Sequence, residues 1–142
     1  MPSFTTQVPN LQQLGPIVDV RLAIGTLLEN ILKQHNQVAP APAATRAMID
    51  TGATGTVINS RIVQQLNINP VGVTQINTPS SVNVQCYTYL IRIIFPNNVI
   101  VETIAIAAPL QNQHIECLIG RDVLQHGVLI YTGYMNTFTL SF

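Results

Sequence analysis

Between Pro16 and Ile24 the apolar residues Ile17, Val18, Val20, Leu22 and Ile24 alternate in part with polar ones, the period of a half-buried strand. The period then changes. Thr26-Leu27-Leu28-Glu29 has the spacing of a capping box, in which a Thr hydroxyl and a Glu carboxylate serve the free amides of a helix start, and a short helix is expected from Leu27 to about Gln34. Its stripe of Leu27, Leu28, Ile31 and Leu32 is expected to pack on its own domain. Pro40 and Pro42 exclude a helix from Val38 to Ala44, so that stretch reads as an extended surface connection. Arg46 to Ile49 is a short apolar strand ending at Asp50-Thr51-Gly52, where the Gly permits a tight turn. A strand resumes over Thr56 to Ile58. Ser60 is positioned to cap a helix through Leu66, stopped by Asn69-Pro70.

Beyond that point the pattern is β. Val71 to Asn77 and Val82 to Phe95 flank Thr78-Pro79-Ser80-Ser81, whose Pro and hydroxyls favour a turn, and together they predict a hairpin. Pro96-Asn97-Asn98 reverses the chain into Val99 to Ala108, followed by a polar loop at Gln111 to His114. Glu116 to Ile119 reads as a buried strand, Gly120-Arg121-Asp122 opens a short helical stretch, and two strands, Val128 to Thr132 and Thr137 to Phe142, close the chain around a Gly133 turn. Short strands at regular spacing with few helices predict a mostly β, barrel-like domain covering residues 1–142, with an insertion at about 26–44.

Composition narrows the function classes. Only 8% of the residues are charged, against roughly a quarter in an average globular protein. A surface of this kind favours burial against a partner. With zero formal net charge and six scattered Lys and Arg residues there is no basic stripe to neutralise phosphates, so nucleic-acid binding is not expected. The apolar runs Leu90 to Phe95 and Val99 to Leu110 are interrupted by Arg92 and Glu102, and neither is long enough to cross a bilayer. Met1 to Asn10 lacks a cationic patch followed by an apolar run, so no secretory signal is read and a cytoplasmic location is expected. The two cysteines, Cys86 and Cys117, read as free thiols.

The chemistry concentrates at one carboxylate. The acidic residues are Asp19, Glu29, Asp50, Glu102, Glu116 and Asp122, and Asp50 alone stands at a strand end followed by Thr and Gly. A hydroxyl in that place can bond neighbouring backbone, and a Gly lets two such loops approach closely. Two carboxylates within hydrogen-bond reach cannot both ionise. They share one proton, so one can act as base while the other acts as acid. The chain holds no second Asp-Thr-Gly, and a two-fold homodimer that sets Asp50 against Asp50 is the economical way to complete such a pair.

Ala47-Met48-Ile49-Asp50-Thr51-Gly52-Ala53-Thr54, together with Leu118-Ile119-Gly120-Arg121-Asp122-Val123-Leu124, resembles the retropepsin-like aspartic proteases, single-domain relatives of the retroviral enzymes. The resemblance runs from about Pro16 to Phe142. It is nearest to small bacterial members, which share the run around Thr78-Pro79-Ser80 and the ending Ile130-Tyr131-Thr132-Gly133 through Phe142. It implies an acid-protease half-barrel with a flap hairpin and one or two short helices, forming a two-fold homodimer. The activity it implies is hydrolysis of peptide or protein substrates without cofactor or metal. By the same resemblance Asp50 would be catalytic, with Thr51 interlocking with its dimer mate and Gly52 completing the loop. Gly52 and Ala53 would line the substrate groove, and the hairpin from about Val73 to Tyr87, with Asn77, Thr78, Pro79, Ser80 and Ser81 at its tip, would close over the substrate. Ile119, Gly120, Arg121 and Asp122 would support the loop from behind.

Two departures bear on function. Retroviral enzymes commonly carry an acidic residue where this chain has Thr54, and it pairs with the Arg matching Arg121; Thr54 cannot form that ion pair, which leaves the orientation of Arg121 open. The flap tip carries Pro79, which fixes a dihedral and removes a donor, where retroviral tips are Gly-rich. Both motivate an alternative, a catalytically silent peptide-binding module on the same fold. Arg121 and Asp122 themselves read as a structural polar pair. His114-x-Glu116-Cys117 reads as a loop rather than a metal site, because no downstream Cys-x-x-Cys follows. The terminal runs Ser3 to Val8 and Thr137 to Phe142 are expected to interleave between subunits, since that would satisfy exposed strand edges.

Overall fold

The computed structural model describes residues 1–78, 80–110 and 114–142. Pro79 and most of the polar loop expected at Gln111 to His114 therefore lie outside the described residues. The elements in chain order are β1 (Ser3–Gln7), α1 (Leu11–Leu14), β2 (Ile17–Ile24), α2 (Thr26–Gln34), β3 (Ala43–Ile49), β4 (Val57–Asn59), α3 (Ser60–Leu66), β5 (Gly72–Thr78), β6 (Ser81–Ile94), β7 (Ile100–Ala108), β8 (Cys117–Ile119), α4 (Arg121–Leu124), β9 (Val128–Thr132) and β10 (Thr137–Ser141).

Seven strands form one sheet in the order β2-β3-β8-β4-β7-β6-β5, and β2 also pairs with β6. Two registers on one strand make this possible: Ile17 to Leu22 of β2 face β3, while Arg21 to Ile24 face β6. The sheet thereby closes on itself, and the alternating inward residues Val18, Val20, Leu22, Ile91 and Ile93 fill the interior together with Ile49, Ile58 and Ile119. This is the mostly β, barrel-like architecture expected. The β5–β6 hairpin continues past the closure as a two-stranded arm, paired from Gly72↔Thr88 to Thr78↔Ser81.

The terminal strands form a second sheet, β1-β10-β9, within the chain itself. β1 and β10 run antiparallel in register from Ser3↔Ser141 to Gln7↔Thr137. The expectation that these ends are left free to interleave between subunits is thus corrected: β10 already has a neighbour on each side. An aromatic cluster ties this sheet to the barrel. Phe4 stacks on Phe95 at 5.2 Å and meets Phe138 edge-on at 6.3 Å, and Phe95 lies 5.9 Å from Phe142. All four phenylalanines of the chain are in this contact. Such pairs contribute about 0.5–1.5 kcal/mol each beyond the area they bury.

Several helix boundaries differ from those expected, each for a local reason. At α2 the cap is Gly25, with no side-chain cap bond. Glu102 of β7 accepts from the Thr26 amide at 2.9 Å, so Glu29 is free to pair with Lys33 and Arg92. Those two cations hold the Glu29 carboxyl below its ordinary pKa, the hydrogen bond from Lys33 most strongly. The apolar stripe packs only in part: Leu32 lies against the core, while Leu27, Leu28 and Ile31 stay exposed. At α3 the cap is Asn59, one residue earlier than expected, its Oδ1 accepting from the Arg61 amide at 3.1 Å. The helix stops at Asn67, which takes the left-handed conformation at φ 51°, before Asn69-Pro70 is reached. β3 begins at Ala43 because Ala43 and Ala44 pair with Leu22 and Arg21, so the excursion off the sheet ends two residues early. The four-residue helix α1 had no signal in the apolar pattern; it follows Asn10 at φ 60° and buries Leu11.

Packing of this kind makes a contrast measurable by denaturant unfolding. Phe138→Ala removes a fully buried ring and is expected to cost about 3–5 kcal/mol. Leu27→Ala, at a residue 69% exposed, is expected to change stability by no more than about 0.5 kcal/mol.

Candidate active site

β3 delivers the chain to Asp50, and β4 carries it away from Thr56 onward. Between these two strands runs β8, parallel to β3 (Ala47↔Cys117, Ile49↔Ile119) and antiparallel to β4 (Val57↔Leu118, Ile58↔Cys117). The 50–56 loop is therefore closed from behind by the segment that follows β8. The Asp50 amide donates to the Ile119 carbonyl at 2.9 Å, the Arg121 amide to the Ala53 carbonyl at 2.9 Å and the Asp122 amide to the Thr54 carbonyl at 3.2 Å. Inside the loop the Gly52 amide donates to Asp50 Oδ1 at 2.9 Å, and the Ala53 amide to the Asp50 carbonyl at 3.2 Å. Asp50 is half-buried, while Thr51 and Gly52 are exposed.

Side chains complete the brace. Arg121 donates to the Thr51 carbonyl at 2.7 Å and to the Thr54 hydroxyl at 3.2 Å. Its orientation, left open by the absence of an acid at position 54, is thus set by a carbonyl and a hydroxyl. Asp122 does not pair with Arg121, contrary to the polar pair expected. Its two carboxylate oxygens accept from Thr56 at 2.8 Å and Thr103 at 2.9 Å. The fully buried Thr56 hydroxyl accepts in turn from the Gly120 amide at 3.1 Å. Gly120 has to be glycine for space rather than conformation, because a Cβ there would stand 2.6 Å from the Gly55 carbonyl. Behind this network, burial, and secondarily the Asp122 charge, push the Cys117 thiol up to about 12, so it stays protonated and acts as core. Both cysteines are free and buried.

A second group of expected site residues gathers at the tip of the β5–β6 hairpin. The Thr78 hydroxyl accepts from the Ser81 amide at 3.0 Å, and Asn77 Oδ1 accepts from the amide of Asn83, which takes φ 57°. The inner side of the hairpin and the end of β7 enclose a cavity of about 660 Å³. Ile76, Val84, Ala108, Pro109 and Leu110 line it with Thr78, Ser80, Ser81 and Cys86. The lining does not include Asp50, Thr51, Gly52 or Ala53. The structure thus unites Asp50, Thr51, Gly52, Ala53, Ile119, Gly120, Arg121 and Asp122 in one cluster, and sets Asn77, Thr78, Ser80 and Ser81 in another. Thr56, Thr103 and the 108–110 segment were missed from sequence. Nothing in a lone threonine marks it as a bridge, and Ala108-Pro109-Leu110 reads only as the end of an apolar strand. Among the described residues no three His, Cys, Asp or Glu side chains converge as metal ligands, and Glu116 pairs with Arg61.

Residues 41–126 match the family described as "gag-polyprotein putative aspartyl protease", a span longer than half of the 142-residue chain. The chain belongs to this family. The matched span of this aspartyl protease family member includes both the Asp50 loop and the segment that braces it. Among solved structures, the fold is similar to that of the simian foamy virus (mac) protease, at 15% identity and a TM-score of 0.50, covering 77% of this chain and 91% of the other. It is similar also to a retropepsin-like aspartic protease from Rickettsia conorii, at 12% identity and a TM-score of 0.50, covering 100% of this chain and 95% of the other. No curated protein sequence matches it. No helix among the described residues is long and apolar enough to cross a membrane.

The Thr56 bridge gives a direct test of the brace. Thr56→Val keeps the shape but strands the Gly120 amide and removes a donor from Asp122. It is expected to cost about 1–3 kcal/mol in denaturant unfolding, with Thr56→Ser restoring most of the loss.

Proposed function

We propose that the chain is an aspartic endopeptidase in which Asp50 supplies one carboxylate and Asp50 of a second copy supplies the other. The observation that carries this reading is the Asp50 carboxylate itself, held at a strand end in a loop whose backbone is hydrogen-bonded from behind at Asp50, Ala53 and Thr54. A carboxylate so fixed loses little freedom when it orients a water, and preorganisation of that kind lowers the barrier. Within the pair, one carboxylate takes a proton from the attacking water while the other, protonated, donates to the carbonyl oxygen. The carboxyl that gained the proton then passes it to the leaving nitrogen as the C–N bond breaks.

Thr51 and Gly52 shape the loop and Ala53 borders the groove. Ile119, Gly120, Arg121 and Asp122 position the loop without contacting substrate. The hairpin acts as the flap, with Asn77, Thr78, Ser80 and Ser81 at its tip over a bound peptide. The aliphatic lining of the cavity beneath favours substrates with an apolar side chain at that position. Residues 1–142 act as one protease unit, because Phe4, Phe138 and Leu140 of the terminal sheet share a core with the barrel. The alternative, a peptide-binding module that does not cut, drew part of its support from Thr54. That support weakens once Arg121 is seen to use the Thr54 hydroxyl.

Asp50→Asn is expected to lower cleavage of a peptide library by about 10²–10⁴-fold or more while the protein stays folded and associated. Cleavage by purified Asp50→Asn protein at the wild-type rate would refute the mechanism. Digests at acidic and neutral pH separate the two readings, since a silent binder retains peptides and releases no fragments.

A further inference from the structure

Of the six Lys and Arg residues, five have side-chain partners. Lys33 and Arg92 pair with Glu29, Arg46 with Asp19 and Arg61 with Glu116, and Arg121 donates to the Thr51 carbonyl and the Thr54 hydroxyl. Arg21 has no side-chain partner among the described residues. The reason lies in the strand register. β2 changes neighbours at Arg21, which stands opposite Ala44 of β3 on one side and Ile94 of β6 on the other, so neither cross-strand neighbour brings a charge. Asp19, on the same face, is opposite Arg46 and accepts from its Nε at 3.2 Å. Arg21 and Arg46 are therefore diagonal neighbours on one face, about 7–8 Å apart and within reach of a group held between them. With Asp19 and His114 they line a cavity of about 590 Å³, walled by Ile94, Phe95 and Pro96. Asp19 and Arg46 also line a second cavity of about 370 Å³, whose other residues include Thr6, Gln7, Leu14 and Ile17. The two cavities meet at that ion pair and form one groove.

We propose that this groove binds an acidic peptide segment of another protein, with a carboxylate seated between Arg21 and Arg46 and neighbouring apolar residues against Ile94 and Pro96. The charges favour an anion, since two guanidinium groups face one carboxylate. A guanidinium presents a planar fork that meets a carboxylate in two parallel hydrogen bonds. It is also more weakly hydrated than an ammonium, so Arg21 gives up little to form them. Asp19 is no obstacle. Its pair with Arg46 is open to solvent, the two side chains 79% and 52% exposed, and a pair so exposed contributes little and leaves Arg46 donors to share. Size decides between a free ion and a chain: an acetate or a phosphate would leave most of the first cavity and all of the second empty, whereas an extended segment spans both. Neither lining includes the Asp50 loop or the β5–β6 hairpin, and Arg46 lies about 13 Å along β3 from Asp50. A segment held here leaves both uncovered. Binding in the groove does not depend on the protease reading; on that reading the groove would hold a substrate away from the bond that is cut.

A short fluorescent peptide of Glu and Leu is expected to bind the full wild-type chain, read by anisotropy, at least about tenfold more tightly than the same peptide with Gln for Glu, and to weaken as salt is raised. Arg21→Gln is expected to remove that preference with an unchanged circular dichroism spectrum, because the side chain is exposed and unpaired among the described residues. Lys33→Gln, at a cation outside the groove, is expected to keep it. Equal binding of the two peptides by wild-type protein would overturn the proposal, as would an Arg21→Gln protein that still prefers the Glu peptide or a Lys33→Gln protein that no longer does. Displacement of the Glu peptide by sodium acetate or phosphate at the peptide's own concentration would also overturn it, by showing a site for free anions. None of these readouts uses cleavage, so their failure would leave the protease proposal standing.

Discussion

The placement of β8 between β3 and β4 is the constraint from which the rest of the site follows. Its two neighbours are the strands that enter and leave the Asp50 loop, so the hydrogen bonds that make β8 part of the sheet also fix the separation of the loop's two ends. The three backbone bonds from the Ile119–Asp122 segment to the loop then continue a ladder already in place. A loop on the surface ordinarily pays for order with conformational entropy; here the barrel has already borne that cost.

Much of this was legible in the amino-acid sequence, and for a physical reason. Asp50-Thr51-Gly52 after an apolar run and Ile119-Gly120-Arg121-Asp122 after another are local patterns whose chemistry depends on a few adjacent residues, and the structure brings the two together. The β5–β6 hairpin was legible for the same reason, since alternation and turn residues are local. What escaped depends on residues far apart in the chain. Thr26 is served by Glu102, which displaces the expected capping box; Asp122 is served by Thr56 and Thr103, which displaces the expected Arg121–Asp122 pair. The pairing of β1 with β10 joins the two ends of the chain, and no periodicity in either strand distinguishes a partner in the same chain from one in a second copy.

The support of the loop is also suited to a chain with so few charges. Where an ion pair would require an acid at position 54, Arg121 is held by a carbonyl and a hydroxyl, and the Asp122 carboxylate is satisfied by two hydroxyls rather than by a cation. Hydrogen bonds to a charged group contribute about 1.5–3 kcal/mol where they are sheltered, comparable to a good ion pair without the need to desolvate a second charge. They also fall off steeply with distance and angle, so they fix geometry more tightly than a diffuse Coulomb attraction. Thr56 shows the gain most directly: one hydroxyl, fully buried, donates to Asp122 and accepts from Gly120, joining the start of β4 to the start of α4.

That same economy bears on assembly. On the proposed reading, a chain with 8% charged residues has few charges with which to specify a second copy, so that specificity has to come from shape. The link from α4, whose Arg121 holds the Thr51 carbonyl, to β9 is packed closely against β10 at Gly127, where a Cβ would lie 2.4 Å from the Ser141 carbonyl. On the proposed reading the carboxylate pair exists only when two copies meet, so association and completion of the site are one equilibrium rather than two. On that same reading the loop of a single chain is already shaped by its hydrogen bonds, and what the second copy adds is the other carboxylate.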